Sequence, residues 1–400
     1  MMFPSIRRSL PAALAVLAAA AFAAGCGSSD DGGETSAAAG GDAAQTTASE
    51  DLGYPAEFAE IVERAKKPVS EWPGPTESPR LARGQFVFAI PCSKVAEGCQ
   101  RIVDGVKSAA DAVGWRFATV DPAGDPNRQG AAIEQAINAG ATVIVLAAIE
   151  PKLVADPLKR ARARGIRVIC TSCGHENDRE YFTDDGIQAD VSLRGTEQGE
   201  IMGAFLATDS DGKAKVGMIE SPEFPLNVER AVATKAALKQ CAGCEVVAQT
   251  DFLQTEIGTQ LGSKSQTFFQ ANPSIEYGWV AFDAAAGAVV PAAQQAGAAQ
   301  MRIVSFDANV ANIEFVEKGA QYATVGTALE WVGWAAVDEA NRLLNGEEAL
   351  ASDNVPNRLV TEENAAEYAK TGFRGDIDYE AKYLELWRSG STDTSAQPAG

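Results

Sequence analysis

Histidine is nearly missing from this chain: one residue, His175, in 400. No Ser-His-Asp set is visible with a single imidazole, and no His-rich metal motif exists. The phosphate-cradling signatures Gly-x-x-x-x-Gly-Lys-Ser/Thr and Gly-x-Gly-x-x-Gly after a strand are missing too. Carboxylates are abundant, but nothing singles out a pair for glycoside chemistry. The expectation is a protein that is not an enzyme, with no cofactor and no metal. Positive charge is also scarce: 34 basic against 54 acidic residues give −20. That balance repels phosphate backbones, so nucleic acid is not an expected partner, and the charge serves solubility. Beyond the first 25 residues no run is long and apolar enough to cross a bilayer.

What is present starts with a targeting segment. Arg7 and Arg8 precede the short apolar stretch Leu10 to Ala24, and Ala23-Ala24-Gly25-Cys26 follows. The latter resembles the lipobox of bacterial lipoproteins, in which the cysteine is acylated, although Ala23 departs from the usual leucine. Residues 1–25 are read as a signal peptide and 26–50 as a flexible tether of Ser, Gly, Ala, Thr and Asp. The lipid on Cys26 would hold the protein at the outer face of the cytoplasmic membrane or in the periplasm.

The six other cysteines form three close pairs: Cys92 and Cys99, Cys170 and Cys173, Cys241 and Cys244. An exported protein favours local disulfides; the spacing of Cys170 and Cys173 also suits a redox motif or half a zinc site.

Residues 85–174 alternate apolar strands (86–91, 115–120, 142–148, 166–170) with amphipathic helices (101–113, 127–138 and one capped by Asp156 with Pro157 at its first position). Gly114, Gly140 and Gly165 stand where each helix should stop. Such an array makes a parallel sheet covered on both faces, with ligands beyond the carboxyl ends of its strands. A second array follows from 187 to 344. Four hundred residues exceed one core, so two lobes are expected. Residues 51–83 read as a packing arm: Phe58, Ile61, Val62 and Ala65 on one helix face, then a proline-rich path with Trp72 as anchor. Residues 374–400 read as a loose tail that Tyr383 and Trp387 could partly dock.

Several segments together resemble type I periplasmic binding proteins, the ribose- and galactose-binding group that serves ABC importers. They are Asp104-Gly105, Val120-Asp121 to Gln129, Gly165 to Ile169, Asn227 to Arg230, Val280-Ala281-Phe282-Asp283, Ile303 to Asp307, and Gly333-x-x-Ala336-x-x-x-Ala340 with Leu343 to Gly346. The resemblance covers about residues 84–350. It implies an α/β fold of two doubly wound parallel-sheet lobes joined by a three-strand hinge. The lobes would be residues 84–188 plus 328–350 and residues 189–327, with 351–400 as C-terminal segment and tail.

The resemblance also nominates a site. Ser93 and Lys94 are the polar residues of the first loop, where two aromatic positions of the family fall on Gly98 and Cys99. Glu150 matches an acidic position after the third strand, Asp190 the first crossover, and Arg230 an arginine that grips a hydroxyl pair. Phe282 stands where relatives often place asparagine, Asp307 matches an aspartate, and Thr327 a glutamine at the last crossover. Other roles stay open. Arg230 can pair with Glu229 or Glu223, Asp307 can cap the next helix, and Glu150 can be a surface carboxylate. Asp125 and Gln129 suit tying a loop to its helix, His175 suits a solvated loop, and Trp331 and Trp334 suit core packing. The implied function is a monomeric solute receptor that closes on a sugar or related compound and delivers it to an ABC permease. A sensor subunit presenting its ligand to a membrane receptor is the alternative, as is a non-sugar solute such as an amino acid, aromatic acid or signalling molecule.

Overall fold

Near-continuous apolar strands can lie only inside a sheet covered on both faces, and two such sheets organise this chain. The computed structural model describes residues 53–174, 186–298 and 300–390. Cys26, the expected signal and tether, and His175 lie outside the described residues.

The first sheet is wholly parallel, in the order β2-β1-β3-β4-β5. Its strands are β1 (Phe86–Pro91), β2 (Arg116–Thr119), β3 (Val143–Ala147), β4 (Arg167–Thr171) and β5 (Ala189–Val191). Helices α2 (Glu97–Val113), α3 (Pro126–Asn138) and α4 (Ala155–Ala163) connect them. The second sheet runs β11-β10-β9-β8-β6-β7, parallel except for the edge pair β10–β11. It comprises β6 (Lys215–Glu220), β7 (Glu245–Asp251), β8 (Tyr277–Val280), β9 (Arg302–Phe306), β10 (Ala323–Thr327) and β11 (Asn357–Thr361). Its helices are α5 (Gly195–Asp209), α6 (Pro225–Leu238), α7 (Leu261–Ala271), α8 (Asp283–Gln295) and α9 (Val310–Glu317). The fold is thus two α/β lobes, each with its own buried core.

Helix α10 (Leu329–Leu344) returns the chain to the first lobe, where it packs on α2. That crossing demands glycine. A Cβ on Gly105 would lie 2.1 Å from the Glu330 carbonyl, and one on Gly333 would lie 2.4 Å from the Ile102 carbonyl.

Three local expectations are corrected. Asp156 does not cap α4, because a 3₁₀ turn at Pro151–Val154 feeds the helix directly and places Pro157 in its interior first turn. The first sheet extends past residue 188, since β5 pairs with β4 before the chain crosses over. The segment that follows 350 is part of the second lobe, since β11 completes its sheet. The chain then returns again, and α11 (Tyr379–Ser389) buries Tyr379, Tyr383 and Trp387 in the first lobe. The arm touches both lobes. Helix α1 (Glu57–Lys66) sinks Phe58, Val62 and Ala65 into the second core, and Trp72 stacks on Trp331 of the first at 5.2 Å.

The structure joins Cys92 to Cys99, Cys170 to Cys173 and Cys241 to Cys244, with Cα atoms 5.9, 5.8 and 5.3 Å apart. No helix among the described residues is long and apolar enough to cross a membrane.

Candidate ligand-binding site

The carboxyl ends of both sheets face one cavity of about 60 Å³. The first lobe contributes Cys92, Ala96, Gly98, Cys99, Ile102 and Ala148, with Thr171 and Ser172 from the end of β4. The second contributes Phe224, Leu226, Asn227, Arg230, Gln254, Phe282 and Asp307. Leu193 and Leu329 come from the passages between the sheets.

Arg230 is the centre of this wall. Its Nε donates to Gln198 Oε1 at 2.6 Å, and its Nη1 donates to Asn227 Oδ1 and the Ala281 carbonyl, each at 3.1 Å. Its Nη2 donates to Asp307 Oδ1 at 2.8 Å, and the guanidinium lies 4.8 Å from the Phe306 ring centroid. Only 1 % of the residue is exposed, so its charge is neutralised inside the protein by Asp307 and not by the surface carboxylates Glu223 or Glu229.

Asp307 does not cap α9, whose N-cap is Asn309. Burial raises its pKa, and the Arg230 charge opposes that rise. Behind it Asp283 is fully buried. Its carboxylate accepts hydrogen bonds from Ser305, Thr324 and the Asn309 N–H. Burial first, then the Asp307 charge, pushes Asp283 up to about 7. The backbone is strained where it meets the cavity: φ is +107° at Asp307, +51° at Ala148 and +51° at Ser172, values that non-glycine residues rarely adopt. Gly98 permits the close approach of α2, since a Cβ there would stand 3.3 Å from Asp307 Oδ2.

The lobes also touch beside the cavity. Arg101 of α2 reaches across, its Nη1 donating to the carbonyls of Asp307 and Ala308 and to Asn309 Oδ1. Its other nitrogens are held by Glu330 and the Phe373 carbonyl. On the far side Gln254 Nε2 approaches Cys92 Sγ at 3.9 Å.

Of the residues nominated from sequence, Arg230, Phe282 and Asp307 line the cavity; Ser93, Lys94, Glu150, Asp190 and Thr327 do not. Ser93 is buried, and its hydroxyl accepts from the Val95 N–H. The exposed Lys94 donates its backbone N–H to Asp121. Glu150 caps the 3₁₀ turn by accepting from the Lys152 N–H. Asp190 sits on β5, near enough to Asp353 to raise that carboxyl's pKa. Thr327 is buried in a network with Gln198 and Asn357 where the chain crosses between sheets. Asp125 caps α3, and Gln129 ties that helix to the Cys92 carbonyl. Trp331 and Trp334 are core residues. Sequence reasoning missed Phe224, Asn227, Gln254 and the Cys92–Cys99 disulfide as cavity walls. Gln254 follows β7, so the strand-end rule could have found it.

Two α/β lobes with a cavity between the carboxyl ends of their sheets define a two-lobed solute-binding protein. Residues 86–348 match the periplasmic binding protein domain family, and the chain belongs to that family. It is similar to the ribose import binding protein of Salmonella typhimurium, 23% identical over 268 residues, covering 64% of this chain and 84% of the relative. Among solved structures it is similar to a glucose-galactose binding protein from Geobacillus stearothermophilus, with TM-score 0.63, 18% identity, and coverage of 71% and 99% of the two chains. It is also similar to a 5-methylthioribose transporter solute binding protein from Thermotoga lettingae, with TM-score 0.64, 20% identity, and coverage of 80% and 97%. These relatives are solute-binding proteins, not enzymes.

Proposed function

We propose that this chain is the extracytoplasmic receptor of an ABC importer. It captures one small solute, a sugar or related compound, between its lobes and presents the closed form to a permease. The observation that carries this reading is the Arg230–Asp307 pair, fixed at the inter-lobe cavity with one carboxylate oxygen turned toward it. A guanidinium beside a carboxylate offers a donor edge and an acceptor edge to neighbouring hydroxyls. A guest enters between the lobes and is enclosed as they close over it. Such a guest stabilises closure only through contacts with both lobes. The ribose import relatives make a pentose the first solute to try. Acylation at Cys26 would keep the receptor beside its permease.

Isothermal titration of the dialysed protein against pentoses, hexoses, polyols and their derivatives tests the reading. At least one should bind with micromolar or tighter affinity and raise the melting temperature. Failure of the whole panel, with binding of an amino acid or organic acid instead, would sink it.

A further inference from the structure

Given a solute receptor, we infer that its solute is neutral and amphipathic: a sugar-like compound with one hydroxylated edge and one apolar end, as in a deoxy or S-alkyl sugar. The two walls of the cavity differ in kind. The second lobe carries the polar groups, Arg230, Asp307, Asn227 and Gln254. The first lobe opposes them with the Cys92–Cys99 disulfide, Ala96, Ile102 and Ala148. Of its two hydroxyls, Thr171 donates to the Leu146 carbonyl, and Ser172 accepts from the Leu193 N–H and keeps its own O–H to donate. Phe224 and Phe282, edge to face at 6.4 Å, flank the polar strip. Among the described residues, no charged or amide side chain lines the first-lobe wall.

A guest hydroxylated on every side would therefore bury most of the hydroxyls on that side, those beyond reach of Thr171 and Ser172, against carbon and sulfur. Each would lose its water without gaining a partner, a penalty that outweighs an ordinary hydrogen bond. A methyl or thioether at that end gains burial instead. The neutrality follows from the charges. Arg230 and Asp307 cancel, and among the described residues no third charged one lines the cavity, so an anionic guest meets the outer carboxylate oxygen of Asp307 with no spare cation among them.

The test is titration of the full chain with matched solutes: D-ribose, 5-deoxy-D-ribose, 5-methylthioribose and ribose 5-phosphate, and separately D-galactose with D-fucose. The apolar member of at least one series should bind tenfold or more tightly than its parent, and the phosphate at least a hundredfold more weakly. The Ala148→Asn variant supplies a control on the wall itself. Asparagine tolerates the +51° backbone there and brings a hydrogen-bonding amide. It should reduce the preference for the apolar member at least threefold. Parents binding as tightly as their deoxy partners, or the phosphate binding as tightly as ribose, overturns the inference and leaves the sugar-receptor reading intact. Binding of no member in either series, together with failure of the wider sugar and polyol panel, overturns both.

Discussion

Replacing Arg230 with methionine should destabilise the second lobe as well as abolish binding. The side chain is fully buried and donates to Gln198, Asn227, Asp307 and the Ala281 carbonyl. Methionine fills much of the volume but removes every donor. Asp307, whose carboxyl burial already drives upward, would then be a carboxylate without its cation. Removing one partner of a buried pair costs about 3–5 kcal/mol. Orphaned neutral acceptors cost about 1–3 kcal/mol each where water cannot reach them. The expected loss is therefore at least about 3–5 kcal/mol, read by urea unfolding with tryptophan fluorescence and circular dichroism followed together. The deficit should shrink as pH falls, because protonating Asp307, whose pKa burial raises, removes the unpaired charge. The double variant Arg230→Met/Asp307→Leu should be more stable than Arg230→Met alone, since it buries no lone charge. A loss under about 1 kcal/mol for Arg230→Met, or a double variant worse than the single, would refute the reasoning.

Three further outcomes are expected. Burial pushes Glu339 of α10 up to about 7, with the Asp338 charge acting in the same direction, and Asp283 stands at about 7 as well. The folded state then holds more protons than the unfolded one between pH 5 and 7, so stability is present at low pH and lost as pH rises through 7. The fall between pH 5 and 8 should be roughly 2–5 kcal/mol, and Glu339→Gln should flatten part of it in urea melts across that range. Removing the Cys92–Cys99 disulfide as Cys92→Ala/Cys99→Ala should cost about 2.5 kcal/mol from loop entropy and weaken ligand binding several-fold, because the disulfide is itself cavity wall. Unchanged titration curves would deny that wall a role. Trp72→Ala should cost about 3 kcal/mol, measured by guanidinium unfolding, because Trp72 stacks on Trp331 and meets Tyr383 edge-on at 5.3 Å.

The sheets were legible because strand runs such as Val143–Ala147 are apolar throughout and each is followed by a helix. The glycines at 114, 140 and 165 adopt positive φ, as helix stops require. Helix α11 was harder to read because a short terminal segment with three aromatics has no periodicity long enough to distinguish docking from disorder. Arg230 and Asp307 were legible as a pair of residue types at the ends of elements, but not as partners, because 77 positions separate them. Ser93, Lys94 and Glu150 illustrate the opposite error. Strand-end loops contain polar residues for two reasons, contact with a guest and satisfaction of their own turns, and sequence cannot separate them. Here the side chains of Ser93 and Glu150 serve their own turns, and Lys94 is exposed away from the cavity lining. The apolar first-lobe wall left no positive signal, only an absence of aromatic residues at 98 and 99 that a disulfide then filled.

The site and a contact between the lobes share residues in this protein, and that has a consequence for the closure proposed above. Asp307 presents its carboxylate to the cavity while its carbonyl, with that of Ala308, accepts from Arg101 of the opposite lobe. Both residues have positive φ, so this short stretch is held by its neighbours and not by its own preference. A guest that engages the Asp307 side chain fixes the backbone that Arg101 must find to bring the lobes together. Conversely, Arg101 arriving with Glu330 fixes the orientation of Asp307 and Arg230 for the guest. The two events share residues, so each must favour the other by the same free energy. Replacing Arg101 with methionine should then weaken solute binding although the residue touches no solute, and should increase the radius of gyration by scattering. If affinity survives the change, closure and recognition are separate in this protein and the shared stretch carries no coupling.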